Sequence, residues 1–214
     1  MNNKNYQISK INNYTYSLFI KDEEYRNILY YSILPLLRHA FHNKQKSSIF
    51  ITCEKIRSLS DYLSENDELL TYEQTLNIIH TMSIQINFLH EKKYGFYGMD
   101  LNDIIVINDD IFLIVSDEKL LKMDSHDYEN QLLIIDKMIH KPLFHNPEII
   151  EIRELPSKIN YKCIYYSLAL LIIYCMFGKE THIDENMETI HSTKLYFFLE
   201  RCLNNLDERF LLFV

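Results

Sequence analysis

The sequence predicts an α+β fold, with a small mixed N-terminal part over residues 1–55 and a larger helical part over residues 56–214. Three patterns carry that expectation. Apolar and polar residues alternate over Tyr6–Ile11 and Tyr14–Lys21, a capped apolar stripe follows Thr71, and a continuous apolar run fills Ile164–Phe177. With 214 residues, 47% of them hydrophobic and 24% charged, the chain has ample material for a packed core.

The two alternating stretches flank Asn12-Asn13, a pair that tolerates positive φ, and predict a β-hairpin. Asp22, Glu23 and Glu24 then sit where acidic residues favour a helix N-terminus. Ile28, Leu29, Ile33, Leu36, Leu37 and Phe41 continue at helical spacing, with Pro35 as the point of a kink or a split. Ser48–Cys53 is β-branched and aromatic, as a strand requires, and Ser58–Leu63 opens a short helix. Thr71 with Gln74 three residues on forms a capping box for a helix to about His90, with Leu76, Ile79, Met82, Ile86 and Leu89 on its apolar stripe.

Beyond the two glycines Gly95 and Gly98, Ile104–Ile107 and Ile111–Val115 read as strands joined by Asn108-Asp109-Asp110. A short apolar piece, Leu132–Ile139, leads to the proline-flanked segment Pro142–Pro156. The 14-residue run Ile164–Phe177 is shorter than the roughly 20 residues that span a bilayer, so it predicts a buried core helix. Thr193–Leu203 predicts another helix, with a last turn running to Val214.

Composition narrows the function classes. A net charge of −8 argues against a nucleic-acid partner held by phosphate contacts. The polar N-terminus lacks the apolar core of a signal peptide, and Cys53, Cys163, Cys175 and Cys202 are too far apart for a zinc site. An intracellular, cytoplasmic protein with buried reduced thiols and no membrane partner is therefore expected. Nine histidines offer one close pair, His39 and His42, read as helix-end residues rather than zinc ligands. Cys163 and Cys175 flank the apolar run and read as packing residues. There are only three glycines, none before Gly95, which excludes a glycine-rich phosphate loop in the N-terminal part. Scarce Ala and Gly beside abundant Ile, Asn, Lys and Tyr point to an AT-rich genome, such as that of a large DNA virus or a parasite. A viral chain would work in the host cytoplasm.

Several segments in order resemble the protein kinase family. SLSDYL (58–63), NFLHEKKYG (87–95) and YGMDLNDIIVI (97–107) resemble the family's progression from hinge to catalytic loop, and Asp100 lies at the position of the catalytic-loop Asp. Asp117, 17 residues later in VSDEKL, stands where the family's metal-binding Asp would be, with Glu118 and Lys119 in place of Phe and Gly. Asn146-Pro147-Glu148 resembles the Ala-Pro-Glu that closes the activation segment. Tyr166-Ser167-Leu168-Ala169 resembles the start of the family's central helix, and Asp207-Glu208-Arg209 the late segment with its structural Arg. The resemblance covers about residues 50–210 and implies a two-lobed kinase-like fold with a reduced β lobe (1–55) and a helical lobe (56–214).

The resemblance also implies roles. Asp100 would accept a substrate hydroxyl proton, Asp117 would bind a metal, and Glu148 and Arg209 would form a buried ion pair. The ATP-pairing lysine would be Lys21, closing SLFIK; alternatively Lys10 would serve, paired with Glu23 or Glu24. The departures are as telling. The glycine loop is missing, Ile105 replaces a metal-binding Asn, Asn102 replaces a cationic Lys, and Met99 stands beside Asp100. The reading is a catalytically impaired kinase-like domain, a pseudokinase, that binds a protein such as an active kinase or its substrate. No cofactor is expected, and ATP with Mg²⁺ enters only if residual nucleotide binding survives. The alternatives are a divergent active Ser/Thr-type kinase using Lys21, Asp100 and Asp117, and an unrelated helical interaction protein.

Overall fold

The computed structural model describes residues 5–66, 69–124, 131–135, 141–178, 187–204 and 209. The expected last turn to Val214 lies outside them, as does the second half, 136–139, of Leu132–Ile139. The fold class is α+β, built from small antiparallel sheets and helices around a large apolar core, with a second, smaller cluster that includes Tyr97, Leu132, Ile134 and Ile159.

Strands β1 (Tyr6–Lys10) and β2 (Thr15–Ile20) form the expected hairpin, with Ile8 opposite Leu18. Two further strands, β3 (Ala40–Asn43) and β4 (Ser48–Thr52), complete a sheet in the order β1-β2-β4-β3. Its inner face follows the period of two: Tyr6, Ile8, Leu18, Ile20, Ile49 and Ile51 are all buried. Helix α1 (Glu23–Ile33) crosses that face, capped by Asp22, whose carboxylate accepts from the backbone of Glu24 and Tyr25. Buried Tyr30 joins helix to sheet, its hydroxyl donating to the Ser47 carbonyl (2.8 Å) and accepting from the Ile20 amide (3.1 Å).

The helical spacing that continues to Phe41 misleads. Pro35 lacks an amide hydrogen, so α1 stops at Ile33, a 3₁₀ turn takes Leu34–Leu36, and Ala40–Asn43 enters the sheet as β3. Phe41 then lies exposed, edge-on to its cross-strand partner Phe50. His39 and His42 thus share no helix face, and the His42 ring packs on Tyr30.

After β5 (Ile56–Ser58) and α2 (Leu59–Asn66), the capping box of Thr71 and Gln74 opens α3 (Tyr72–Glu91). One polar residue on its buried side decides much of the packing. The Gln85 amide accepts from the Ile114 backbone N–H (2.9 Å) and donates to the Ile114 carbonyl (2.7 Å) and to Ser32 Oγ (3.1 Å), acting as an extra strand edge. The chain continues through β6 (Tyr94–Phe96), β7 (Gly98–Met99), a 3₁₀ turn at Leu101–Asp103, β8 (Ile104–Ile107) and β9 (Ile111–Ile114). Asn108 and Asp109 adopt φ of 50° and 62° in the tight turn between β8 and β9, as asparagine and aspartate tolerate.

Next come β10 (Leu120–Lys122), which pairs with β6, and β11 (Gln131–Ile134), which occupies the start of the Leu132–Ile139 piece. Within the Pro142–Pro156 segment lie β12 (Phe144–His145), paired with β7, and the one-turn helix α4 (Glu148–Glu151); β13 (Ser157–Asn160) then pairs with β11. Helix α5 (Cys163–Phe177) is apolar on all sides and runs through the core; α6 (Lys194–Leu203), capped by Thr193, packs on it. All four cysteines are buried as free thiols. Among the described residues no helix is long and apolar enough to cross a membrane.

Candidate functional site

The site forms where the turn after β7 meets the turn before β10. The backbone N–H of Asp100 donates to Asp103 Oδ2 (2.7 Å), and the Asp103 N–H returns to the Asp100 carbonyl (3.0 Å), which closes the 3₁₀ turn and places both carboxylates on one side. Opposite them, the pairing of β10 with β6 fixes Lys119: its carbonyl accepts from the Tyr97 amide (3.1 Å) and its side chain turns inward. The Lys119 ammonium lies 2.7 Å from Asp103 Oδ2, 2.9 Å from Asp100 Oδ2 and 3.7 Å from Glu118 Oε2, with only 3% of the side chain exposed. The other Asp100 oxygen, Oδ1, accepts the backbone N–H of Leu143. Asp100 thus ties the 3₁₀ turn, the lysine and the segment before β12 together.

The electrostatics follow from burial. Desolvation pulls the Lys119 ammonium toward losing its proton, but Asp103 and Asp100 outweigh it, and the net direction is upward. Burial raises the Asp103 carboxyl, opposed by Lys119 and by the Asp100 amide. Asp117 has no cation of this kind. Its carboxyl is pushed up to about 6, first by burial and then by the carboxylates of Asp22, Glu118 and Asp103, and its buried Oδ1 has no hydrogen-bond partner among the described residues. Burial and the same acidic cluster raise the Tyr97 hydroxyl above its ordinary range. The N-terminal strand covers the site from above: the Asn5 amide donates to Ser116 Oγ (3.2 Å) and Glu118 Oε2 (3.1 Å), and the Tyr6 hydroxyl to the Asn102 carbonyl (2.9 Å).

Asp100 and Asp117 are therefore neighbours of one acidic cluster, through Asp103. Lys21 is placed differently. It is exposed at the end of β2, where its backbone N–H donates to the Asn5 carbonyl (2.9 Å), and the main electrostatic influences on Asp117 are acids rather than this lysine. The pairing of Lys10 with Glu23 or Glu24 does not form: Lys10 lies over the Tyr16 ring, Glu24 pairs with Lys122, and Glu23 with Arg26 (3.9 Å). The buried ion pair expected of Glu148 and Arg209 is also absent, with no charged atoms within 4 Å of each other. Arg209 instead donates from Nε to the Asn204 carbonyl (2.7 Å) and lies over the Tyr166 ring, leaving its buried Nη1 without a partner among the described residues. Both charges still act on the enclosed Cys163 thiol, so the two side chains face one region.

The donor set does not fit a Mg²⁺ ion held between Asp100 and the next strand. Mg²⁺ demands oxygen ligands in near-octahedral array, Ile105 is an apolar residue buried in β8, and both Asp100 oxygens are already engaged. Among the described residues no group of three or more His, Cys, Asp or Glu is arranged to hold a metal. Lys119 and Asp103 escape sequence reasoning, although a lysine set between an acidic pair and the apolar Leu120-Leu121 is a signal that a charge enters the core with its partners. A scan against protein-family models finds no match to this chain, and a search of the curated proteins finds none either.

Proposed function

We propose that the chain is a kinase-like domain that has lost phosphoryl transfer and acts by binding another protein, such as an active kinase or its substrate. The element order supports the fold part of this reading. A helix is inserted between β2 and β3 of an antiparallel sheet, α3 follows, then a 3₁₀ turn with Asp100 between short strands, and finally a central apolar helix. One observation carries the loss of catalysis: the Asp100 carboxylate is spent on Lys119 and on the Leu143 amide. A general base must accept the proton it abstracts, and here a substrate hydroxyl would have to compete for the carboxylate with the Lys119 ammonium and the Leu143 amide. Phosphoryl transfer also relies on cations around the phosphates, yet Asp117 is surrounded by carboxylates and the nearby cation, Lys119, is enclosed. Exposed Leu143, whose amide bonds Asp100, and exposed Ile150 on α4 support an interaction role, since they present aliphatic surface.

The test uses the full chain. Thermal unfolding with ATP and Mg²⁺ is expected to match unfolding without them, and labelled ATP is expected to leave no phosphate on the chain or on a general acceptor protein. A clear ATP-Mg²⁺ stabilisation, with phosphorylation abolished in Asp100→Asn, would overturn the proposal. The second reading, a divergent active kinase, draws on the 38% exposure of the Asp100 side chain and its closeness to the Asp117 cluster. That same pair of measurements separates the two.

A further inference from the structure

A second concave region lies apart from the carboxylate–lysine cluster and shares no residue with it. It is a cavity of about 620 Å³ bounded by the 3₁₀ turn and the chain entering β3, the end of β4, one face of α3 and the β8–β9 turn. Its α3 wall is Asn77, His80, Thr81 and Ile84, the i, i+3, i+4, i+7 face that a packed helix would bury. Ile84 is nevertheless 40% exposed there. The floor is apolar, with Ile51, Ile107 and Ile111 among its residues, while Arg38 and His39 stand at the rim. Neither the Arg38 nor the His39 side chain has a hydrogen-bond or ion-pair partner among the described residues. The acid that lines the cavity, Asp110, is held by the Asn77 amide. An isoleucine floor ringed by polar side chains, within the roughly 300–1,000 Å³ of small-ligand clefts, has the character of a site for an amphiphilic molecule.

We propose that this cleft binds a small amphiphilic carboxylate, with its apolar body on the isoleucine floor and its head on Arg38. A lone guanidinium matches one carboxylate in a two-pronged hydrogen bond. A dianionic head would face the net charge of −8 and the neighbouring Asp110. This proposal does not rest on the kinase-like reading and would survive its failure.

The probes are decanoate and decylammonium, which share an apolar body and carry opposite heads, titrated into the full chain and followed by amide NMR shifts. Decanoate is expected to saturate with a Kd below about 1 mM, moving amides at 36–39, 51–53, 77–84 and 107–111. Decylammonium is expected to bind at least about tenfold more weakly, and Arg38→Glu to weaken decanoate by about the same factor. Arg38 is exposed and its side chain has no partner, so the substitution leaves the fold intact; Arg38→Gln, expected to show an intermediate loss, provides a second variant. Shifts confined to another region, equal affinity for the two heads, or indifference to the Arg38 variants would each overturn the proposal.

Discussion

Replacing Lys119 by methionine keeps most of the side-chain volume and deletes the ammonium that sits 2.7 Å from Asp103 and 2.9 Å from Asp100. The Asp103 side chain is 6% exposed, so its carboxylate would be left in the interior with one backbone N–H for compensation. Removing one partner of a buried ion pair costs about 3–5 kcal/mol because the other charge stays desolvated. For a chain of this size each kcal/mol moves the melting temperature by roughly 2–4 °C, so Lys119→Met is expected to lower it by roughly 6–20 °C. The loss must also depend on pH. Without the lysine the Asp103 carboxyl rises further above its unfolded value, so the folded variant favours the protonated form. Its stability relative to wild type is then expected to fall as pH rises from about 5 to 8. Adding Asp103→Asn removes the orphan charge and should restore part of the stability. Urea unfolding of the two single variants, the double variant and the wild type at pH 5 and 8 measures all of this. A Lys119→Met cost below about 1 kcal/mol, or a cost independent of pH, would refute the picture of Lys119 as the buried counter-ion of this turn.

Other perturbations test the surroundings. Asp117 has a folded pKa raised from 3.8 to about 6, so its contribution favours the fold below pH 4 and is lost as pH climbs through 6. The shift corresponds to roughly 3 kcal/mol, reduced by partial exposure to about 1–2 kcal/mol. Asp117→Asn is accordingly expected to stabilise the chain by that amount at pH 8 and little at pH 4 in denaturant titrations. Gln85→Leu leaves the Ile114 N–H and carbonyl unpaired in the core and is expected to cost about 2–4 kcal/mol in urea unfolding. Gly98→Ala would put a methyl group 2.6 Å from Pro142 Cγ and 2.9 Å from the Phe144 carbonyl oxygen. A loss of about 2 kcal/mol or more is expected, with the amide signal of Leu143 shifting as its bond to Asp100 is strained.

Much of the secondary structure was readable locally because its signals are local. Period-two alternation marks β1 and β2, the Thr71–Gln74 box marks the start of α3, and the unbroken apolar run marks α5. Where a local signal had a competitor, the reading failed: the helical spacing through Phe41 gave way to Pro35 and to the free edge of β4. Two- and three-residue strands such as β6, β7, β10 and β12 carry no period at all. They exist because distant segments pair, as Leu120 does with Phe96 and Phe144 with Met99.

The candidate site divides in the same way. The resemblance singled out Asp100 and Asp117, whose carboxylates lie by one acidic cluster, whereas the expected Glu148–Arg209 ion pair does not form and Arg209 bonds the Asn204 carbonyl instead. In one dimension Lys119, set between an acidic pair and Leu120-Leu121, signals a charge near the core but not which carboxylates meet it. Its inward turn depends on the β6–β10 pairing and on a 3₁₀ turn 16 residues earlier that aligns two carboxylates. Residue order alone determined the β1–β2 hairpin, the start of α3 and the apolar α5, since those depend on neighbours within a few positions. Which charges meet, and whether an acid is free to react or is tied down as an anchor, was decided only in three dimensions. Electrostatic partners are chosen by distance through space, and burial sets how strongly they hold.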